Sequence, residues 1–157
     1  MLTRYWMAAS SCMIALLSGC SGAPTDPQQE TIRASDELAL AATFHAREMI
    51  GKPYRYGGDN PSGFDCSGLV RYSYARTGIG MPRATPAQRN ATTLISVRSL
   101  RPGDLLFFDQ EGKKASHVGI YLGKDQFVHA PSSGKRVRTD SLRSDYWKKH
   151  FAEARRI

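Results

Sequence analysis

Three side chains of this 157-residue sequence could together perform nucleophilic chemistry: Cys66, His117 and His129. Turn-forming glycines and a proline precede Cys66, and apolar residues at helical spacing follow it, which predicts that Cys66 lies in the first turn of a helix. Unpaired backbone N–H groups and the helix dipole at that position favour the thiolate, the nucleophilic form of cysteine. The alternative for a cysteine considered alone is a buried structural thiol.

The two histidines lie on predicted strands at 116–122 and 126–130, joined by a tight turn at 123–125. Successive side chains of a strand point to opposite faces, so the register of this hairpin decides whether His117 and His129 can meet. A two-residue turn would place them on opposite faces. We therefore predict a three-residue loop or a bulge, which brings the imidazoles together as diagonal neighbours.

In that arrangement Cys66 is the nucleophile, His117 accepts its proton and His129 orients His117. Gly119, two residues after His117, would leave room for a substrate to approach. The backbone N–H of Cys66 and a nearby side chain could stabilise an oxyanion. Tyr54 is the candidate for that side chain, although a tyrosine packed in a turn explains its position equally well.

Two other functions remain open for these side chains. Cysteine and histidine also bind zinc, but no fourth ligand and no Cys-x-x-Cys spacing accompany this set, so we expect neither a metal nor a cofactor. A non-catalytic lipoprotein that binds a component of the cell envelope is the second alternative. A binding protein would have no need of three residues that can act as a triad.

The N-terminal segment has the features of an export signal. Arg4 precedes an apolar run from Trp6 to Leu17 that is too short to span a membrane, and small residues then lead to Cys20. This pattern resembles a bacterial lipobox, which implies cleavage after residue 19 and lipidation of Cys20. With Ser21 next, the expected location is the cell envelope, on the outer membrane facing the periplasm if the cell is Gram-negative.

Cysteine usage supports a functional thiol. The sequence contains three cysteines, of which Cys12 lies in the predicted signal and Cys20 is the predicted lipid site. Cys66 is then alone in the folded domain, so no disulfide can form within it. A free thiol in an exported protein is a liability in an oxidising compartment, which argues that Cys66 is used.

The remaining chain predicts a single α+β domain with an antiparallel sheet. Polar residues at 20–34 are expected to form a flexible tether, and a helix is predicted from Ser35 to Ile50, with Ser35 as its N-cap. After the Cys66 helix come a short helix near Gln88, a buried strand at 105–108, the histidine hairpin, and a tail with a helical segment and a final basic strand. The net charge of +8 suits an anionic polymer or membrane surface, but no nucleic-acid-binding motif is present and nucleic acid is not an expected partner.

Several segments in order resemble one known family, the NlpC family of cell-wall cysteine peptidases. The resemblance extends from Ser35 to Ile157 and rests on these segments: PYRYGG, GFDCSGLV, MPRAT, LRPGDLLFF, SHVGIYLG, QFVHA and YWKKHFAEARRI. It implies a papain-like fold in which the catalytic cysteine begins a helix packed on an antiparallel sheet. The implied domains are a signal peptide at 1–19, a lipidated tether at 20–34 and a peptidase domain at 35–157.

The resemblance also implies roles for individual residues. Cys66, His117 and His129 match the catalytic triad, and Tyr54 matches a tyrosine near the oxyanion. Further cleft positions match Asp65, Ser67 and Arg83. Ala84 departs from the serine or threonine that usually follows this arginine, which leaves substrate preference there open.

The implied substrate is the peptide stem of peptidoglycan. The family divides between enzymes that cut the bond from D-glutamate to the diamino acid and enzymes that open the cross-bridge between stems. Because only a short tether precedes Ser35, we expect an open cleft that accepts intact or cross-linked wall. We further expect a monomer held at its membrane through the lipid anchor.

Overall fold

The computed structural model describes residues 26–157, which form four α-helices, a 3₁₀ turn at 97–99 and eight β-strands. The helices are α1 (Pro27–Glu48), α2 (Cys66–Ala75), α3 (Thr85–Asn90) and α4 (Asp145–His150). The strands are β1 (Asp59–Asn60), β2 (Gly63–Phe64), β3 (Thr93–Ile95), β4 (Leu105–Gln110), β5 (Lys113–Gly123), β6 (Gln126–His129), β7 (Arg138–Ser141) and β8 (Phe151–Arg156).

Six strands form one antiparallel sheet in the order β3-β8-β4-β5-β6-β7, so the predicted α+β class is confirmed. β4 is central and is buried on both faces. Leu105 and Phe107 pack towards α1 and α2, whereas Leu106 and Phe108 pack with Trp147 of α4 on the other face. The sheet therefore presents α2 on one side and α4 on the other, and the two histidines lie on strands between these layers.

The first helix begins earlier than the sequence predicted. It starts at Pro27 instead of Ser35, because Asp26 caps it by accepting a hydrogen bond from the Gln28 N–H (3.0 Å) and proline fits the first helical position. The Ser35 hydroxyl donates to the Ile32 carbonyl (2.9 Å) and so lies within the helix instead of capping it. Residues 27–34 of the predicted flexible tether are thus helical.

The histidine hairpin contains the predicted bulge. Gly123 pairs with Gln126 across a two-residue turn of Lys124 and Asp125, which have φ values of 51° and 59°. The register shifts between Tyr121 and Gly123, where β5 has one residue more than β6. This extra residue returns His117 and His129 to the same face of the sheet, which a two-residue turn alone would prevent.

The predicted signal peptide and the lipidation site at Cys20 lie outside the described residues. Within residues 26–157, none of the helices combines the length and apolar content needed to cross a membrane.

Candidate active site

Cys66 is the first residue of α2, as predicted, and a local cap holds this end of the helix. The Asp65 side chain accepts a hydrogen bond from the Gly68 N–H (2.7 Å). The preceding turn is packed so closely that a Cβ on Gly68 would lie 1.9 Å from the Gly58 carbonyl oxygen. The glycines around Cys66 therefore allow the turn to lie against the start of the helix and fix the position of the sulfur.

The Cys66 sulfur contacts both the helix layer and the sheet. The Thr85 Oγ1 lies 3.7 Å from Sγ, and the backbone N–H of Val118, the residue after His117, donates towards the sulfur. Burial raises the pKa of the Cys66 thiol, and the hydrogen bonds from Thr85 and Val118 only partly oppose this. Burial therefore opposes the thiolate that the helix start was expected to favour, because desolvation penalises the charged form of the sulfur.

His117 and His129 meet as the hairpin register predicted. The His117 Nε2 lies 2.8 Å from the His129 Nδ1, and the two rings are nearly perpendicular at 86°. Because Nε2 of His117 is occupied by His129, its Nδ1 is the ring nitrogen left to accept a proton from a nucleophile. Burial, reinforced by His129, lowers the pKa of His117 to about 3, so this imidazole is neutral at physiological pH and can act as a base.

The arrangement extends beyond His129 to Asp140, a residue that the sequence analysis did not identify. The His129 Nε2 lies 3.0 Å from Asp140 Oδ2, which also accepts hydrogen bonds from Arg138 Nη2 (2.8 Å) and Trp147 Nε1 (3.0 Å). Burial alone would raise the pKa of Asp140, but these donors outweigh it and hold the pKa well below its usual range. The spacing of Arg138 and Asp140 on one strand could have suggested their pairing, but no local signal connects Asp140 to His129.

Tyr54 lies beside the cysteine, as required for the role that the sequence suggested. Burial raises the pKa of the Tyr54 hydroxyl, and the nearby Cys66 and Asp65 raise it further. Its backbone N–H donates to the Lys135 carbonyl (2.9 Å), and it forms a bridge with Phe64. Tyr54 is therefore held between the cysteine loop and the loop after β6, and it remains protonated and able to donate.

The three further residues that the resemblance assigned to the cleft form one cluster on the helix side of Cys66. Arg83 makes a bidentate ion pair with Asp65, at 2.9 Å to Oδ1 and 2.6 Å to Oδ2, and also donates to the Ser67 hydroxyl (3.0 Å). Burial would raise the pKa of Asp65, but Arg83 and the Gly68 N–H outweigh it and lower the pKa. Ala84, the departure from the family pattern, is the N-cap of α3 and provides no capping hydrogen bond.

Gly119 serves packing and does not open a path for substrate. A Cβ at this position would lie 2.6 Å from Cδ2 of Phe127 and 3.1 Å from the Val128 carbonyl oxygen. The expectation that Gly119 leaves room for a substrate is therefore wrong, because the space above it is filled by the neighbouring strand. Within residues 26–157, no group of three or more His, Cys, Asp or Glu side chains is arranged to hold a metal ion.

Comparison with known proteins decides the family. The model of the NlpC/P60 family matches residues 51–156, which include every site residue described above. The chain belongs to the NlpC/P60 family. "Probable endopeptidase NlpC" of Escherichia coli K12 is 41% identical over 146 residues, covering 90% of this chain and 93% of its own length. "Murein DD-endopeptidase MepH" of the same organism is 34% identical over 149 residues, covering 92% of this chain and 54% of its own length.

Solved structures of the family share the fold. A crystal structure described as similar to lipoprotein, NLP/P60 family, from Staphylococcus aureus has a TM-score of 0.69 and 34% identity, covering 90% of this chain and 45% of that one. The predicted papain-like NlpC-type fold is thus confirmed. The chain spans about half the length of MepH, so the activity of such longer relatives comes to this chain only as a proposal.

Proposed function

We propose that this protein is a cysteine-type endopeptidase that hydrolyses peptide bonds in or between the stem peptides of peptidoglycan. The observation that carries the proposal is the position of Cys66 at the start of α2, against the strand that holds His117, with His117 hydrogen-bonded to His129. The names of two relatives, an endopeptidase and a murein DD-endopeptidase, support the class of substrate.

The resting site contains a neutral thiol and a neutral imidazole, which determines how the reaction begins. As Cys66 attacks the scissile carbonyl, its proton passes to Nδ1 of His117 and a C–S bond forms. The carbonyl oxygen becomes an oxyanion, which the first-turn N–H of Cys66 and the Tyr54 hydroxyl stabilise as donors. His117 then gives its proton to the leaving amine as the C–N bond breaks, which leaves a thioester on Cys66.

Water completes the cycle in the reverse sense. His117, neutral again, takes a proton from water as the hydroxide attacks the thioester carbonyl. The second tetrahedral intermediate collapses with release of the carboxylic acid product, and the sulfur recovers its proton from His117. His129 orients His117 through both half-reactions, so these three residues act as the triad.

The substrate-binding side of the cleft is formed by the Asp65, Ser67 and Arg83 cluster. Arg83 is bound to Asp65 by both carboxylate oxygens, so its guanidinium presents a fixed rim beside Cys66 rather than a free charge. The names of similar proteins support both kinds of bond, since one is a DD-endopeptidase and another a DL-endopeptidase, and we propose the cross-bridge between stems as the bond that is cut. Cleavage between D-glutamate and the diamino acid is the alternative within the family.

The test is digestion of purified peptidoglycan by the full chain, with chromatography and mass spectrometry of the fragments. Loss of cross-linked dimers with a matching gain of monomers is expected, whereas stems shortened to two residues would indicate the D-glutamyl bond. Cys66→Ala is expected to remove both changes while its circular dichroism spectrum stays that of the parent. Retained hydrolysis by Cys66→Ala would overturn the proposal, and a chelator arm separates metal-dependent cleavage from thiol chemistry.

We also propose that the protein is anchored in the cell envelope through lipid on Cys20. The apolar run before Cys20 and the short stretch of sequence between Cys20 and α1, which begins at Pro27, support an anchor close to the folded domain. Metabolic labelling with an alkyne fatty acid is expected to mark the wild-type chain and not Cys20→Ser. Equal labelling of both chains would contradict the anchor.

A further inference from the structure

A chain of hydrogen bonds leads from His117 through His129 to Asp140. His117 Nε2 and His129 Nδ1 are 2.8 Å apart, and His129 Nε2 and Asp140 Oδ2 are 3.0 Å apart. Each link joins one specific ring nitrogen to the next group. If the group at the end of this chain can only accept hydrogen bonds, it determines which ring nitrogen of each histidine carries the proton.

Asp140 is such a group, because an ionised carboxylate only accepts hydrogen bonds. Its Oδ2 lies within hydrogen-bonding distance of donors from two other residues, Arg138 and Trp147, neither of which can accept through these nitrogens. Their hydrogen bonds stabilise the ionised carboxylate. The position facing His129 Nε2 is therefore an acceptor throughout the physiological range.

The geometry points to Asp140 as a positioning residue that selects the tautomer of both histidines. With Asp140 accepting, the proton of neutral His129 lies on Nε2 and its Nδ1 carries a lone pair. His117 must then donate from its own Nε2, which leaves the lone pair on Nδ1, the nitrogen that receives the Cys66 proton. The effect of these tautomers on catalysis rests on the proposed function, whereas the assignment of the tautomers does not.

Without the carboxylate the opposite arrangement becomes accessible. His129 could place its proton on Nδ1 and donate to Nε2 of His117. The proton of neutral His117 would then lie on Nδ1, and it could not accept a proton from the thiol at that atom. Asp140 excludes this state because it has no proton to offer the lone pair on His129 Nε2.

Trp147 of α4 holds the hydrogen-bonded residues His117, His129 and Asp140 in place. Its ring stacks on His117 with 5.6 Å between centroids and an angle of 24°, and meets His129 edge-on at 4.9 Å and 89°. The same side chain donates through Nε1 to Asp140 (3.0 Å). One indole thus contacts all three members of the chain, so the imidazoles cannot rotate without disturbing α4.

The electrostatic surroundings of His129 come from several elements. Burial lowers the pKa of His129, Asp140 opposes this, and the cations Arg138 of β7 and Lys135 of the preceding loop lower the pKa further. Neutral His129 is therefore favoured despite its carboxylate partner. A neutral His129 is the state in which tautomer selection matters, because an imidazolium would carry a proton on both nitrogens.

The deciding experiment is ¹⁵N NMR of the histidine ring nitrogens in the full chain, which contains four histidines. His117 and His129 are both expected as Nε2–H tautomers in the wild type. Asp140→Ala is expected to give a mixture at both rings, and Asp140→Asn, which keeps an acceptor oxygen, to restore most of the Nε2–H form. The matched control is Asp36→Ala, which removes a carboxylate of α1 that is paired with Arg101 (2.5 Å). It should leave the tautomers of His117 and His129 unchanged.

Either of two results would overturn the inference: Nδ1–H on His129 in the wild type, or unchanged tautomers in Asp140→Ala. If Asp140→Ala does not fold, the wild-type spectrum alone tests the inference. Peptidoglycan digestion adds a separate readout, in which Asp140→Ala is expected to lower kcat roughly 10-fold with KM unchanged, less than loss of a whole general base. If no variant hydrolyses peptidoglycan, the proposed function fails while the NMR result stands.

Discussion

Asp65 and Asp140 flank the proposed catalytic residues, Asp65 next to Cys66 and Asp140 next to His129, and each forms an ion pair with an arginine. On the helix side Asp65 binds Arg83 and also accepts from the backbone N–H groups of Gly57 (2.9 Å) and Gly68 (2.7 Å). On the sheet side Asp140 binds Arg138 and accepts from two side chains, His129 and Trp147. The pKa of each carboxyl is lowered by these donors, although burial opposes the shift.

The difference lies in what each carboxylate holds in place. Asp65 fixes backbone: the turn before Cys66 and the first turn of α2. Asp140 fixes side chains and the direction of the hydrogen bonds between them. Loss of Asp65 should therefore appear chiefly in folding stability, and loss of Asp140 chiefly in proton transfer. A carboxylate–arginine pair beside an active site does not by itself indicate which of these roles it serves.

The largest effect is expected on the sheet side, at His117, the proposed proton acceptor. His117→Ala should abolish hydrolysis of peptidoglycan, a loss of roughly 10²-fold or more. His129→Ala should retain more activity, because water can partly replace an orienting group. Initial rates measured beside the partly exposed control His45→Ala test this order, and a His129→Ala variant as active as that control would contradict the relay.

The next effect concerns the close packing on the helix side. Gly68→Ala would place a Cβ 1.9 Å from the Gly58 carbonyl oxygen, so the Cys66 turn must shift and both activity and stability should fall. Gly80→Ala is the matched control, since a Cβ there meets no atom within 4 Å. Thermal unfolding and initial rates of the two variants should differ clearly. Equal behaviour would show that the Cys66 turn can move without consequence.

A smaller effect is expected when Asp65 loses its charge. Asp65→Asn weakens a helix cap and a bidentate ion pair, and should lower the free energy of unfolding by about 1–2 kcal/mol. The folded-state pKa of Asp65 lies below its unfolded value of 3.8, so its contribution is present above that value and is lost as the pH falls through the folded pKa. Denaturant unfolding at neutral and acidic pH should show the wild-type advantage over Asp65→Asn shrinking with acid. A constant difference would mean that ionisation of Asp65 is not the cause.

The smallest effect is expected far from both sides, at an exposed ion pair. Arg101→Ala removes the partner of Asp36 (2.5 Å), in which the arginine is about half exposed, and should change the free energy of unfolding by less than about 1 kcal/mol. Hydrolysis should be unchanged. A large loss of activity here would show that α1 is coupled to the active site, which the account does not include.

The helix side was largely predictable from the sequence because its determinants are local. The turn residues, the Asp65 cap and the start of α2 lie within a few positions of Cys66, and the family pattern adds Arg83. On the sheet side, the sequence predicted only that the hairpin brings His117 and His129 to the same face, because this depends on one turn and two strands. The role of Asp140 depends on three elements, β6, β7 and α4, which nothing in local spacing connects.

Two other differences have similar physical causes. The start of α1 was misplaced because Asp26 with Pro27 and Ser35 with Asp36 both satisfy the local rules for a helix start, and the structure uses the earlier one. The thiolate was expected from the unpaired N–H groups and the dipole at the helix start, which are local features. Burial of Cys66 in the folded domain raises its pKa, whereas hydrogen bonds from Thr85 and Val118, which are distant in the sequence, lower it, and neither effect can be estimated from neighbouring residues.

The most direct test of the account is to follow loss of peptidoglycan hydrolysis against alkylation of Cys66 by iodoacetamide. Trypsin places Cys66 in the fragment between Arg55 and Arg71, separate from Cys12 and Cys20, so mass spectrometry can quantify alkylation of Cys66 by itself in the full chain. The account predicts that activity falls in proportion to the alkylated fraction of Cys66 and is independent of the other two sites. Undiminished hydrolysis by protein fully alkylated at Cys66 would contradict it.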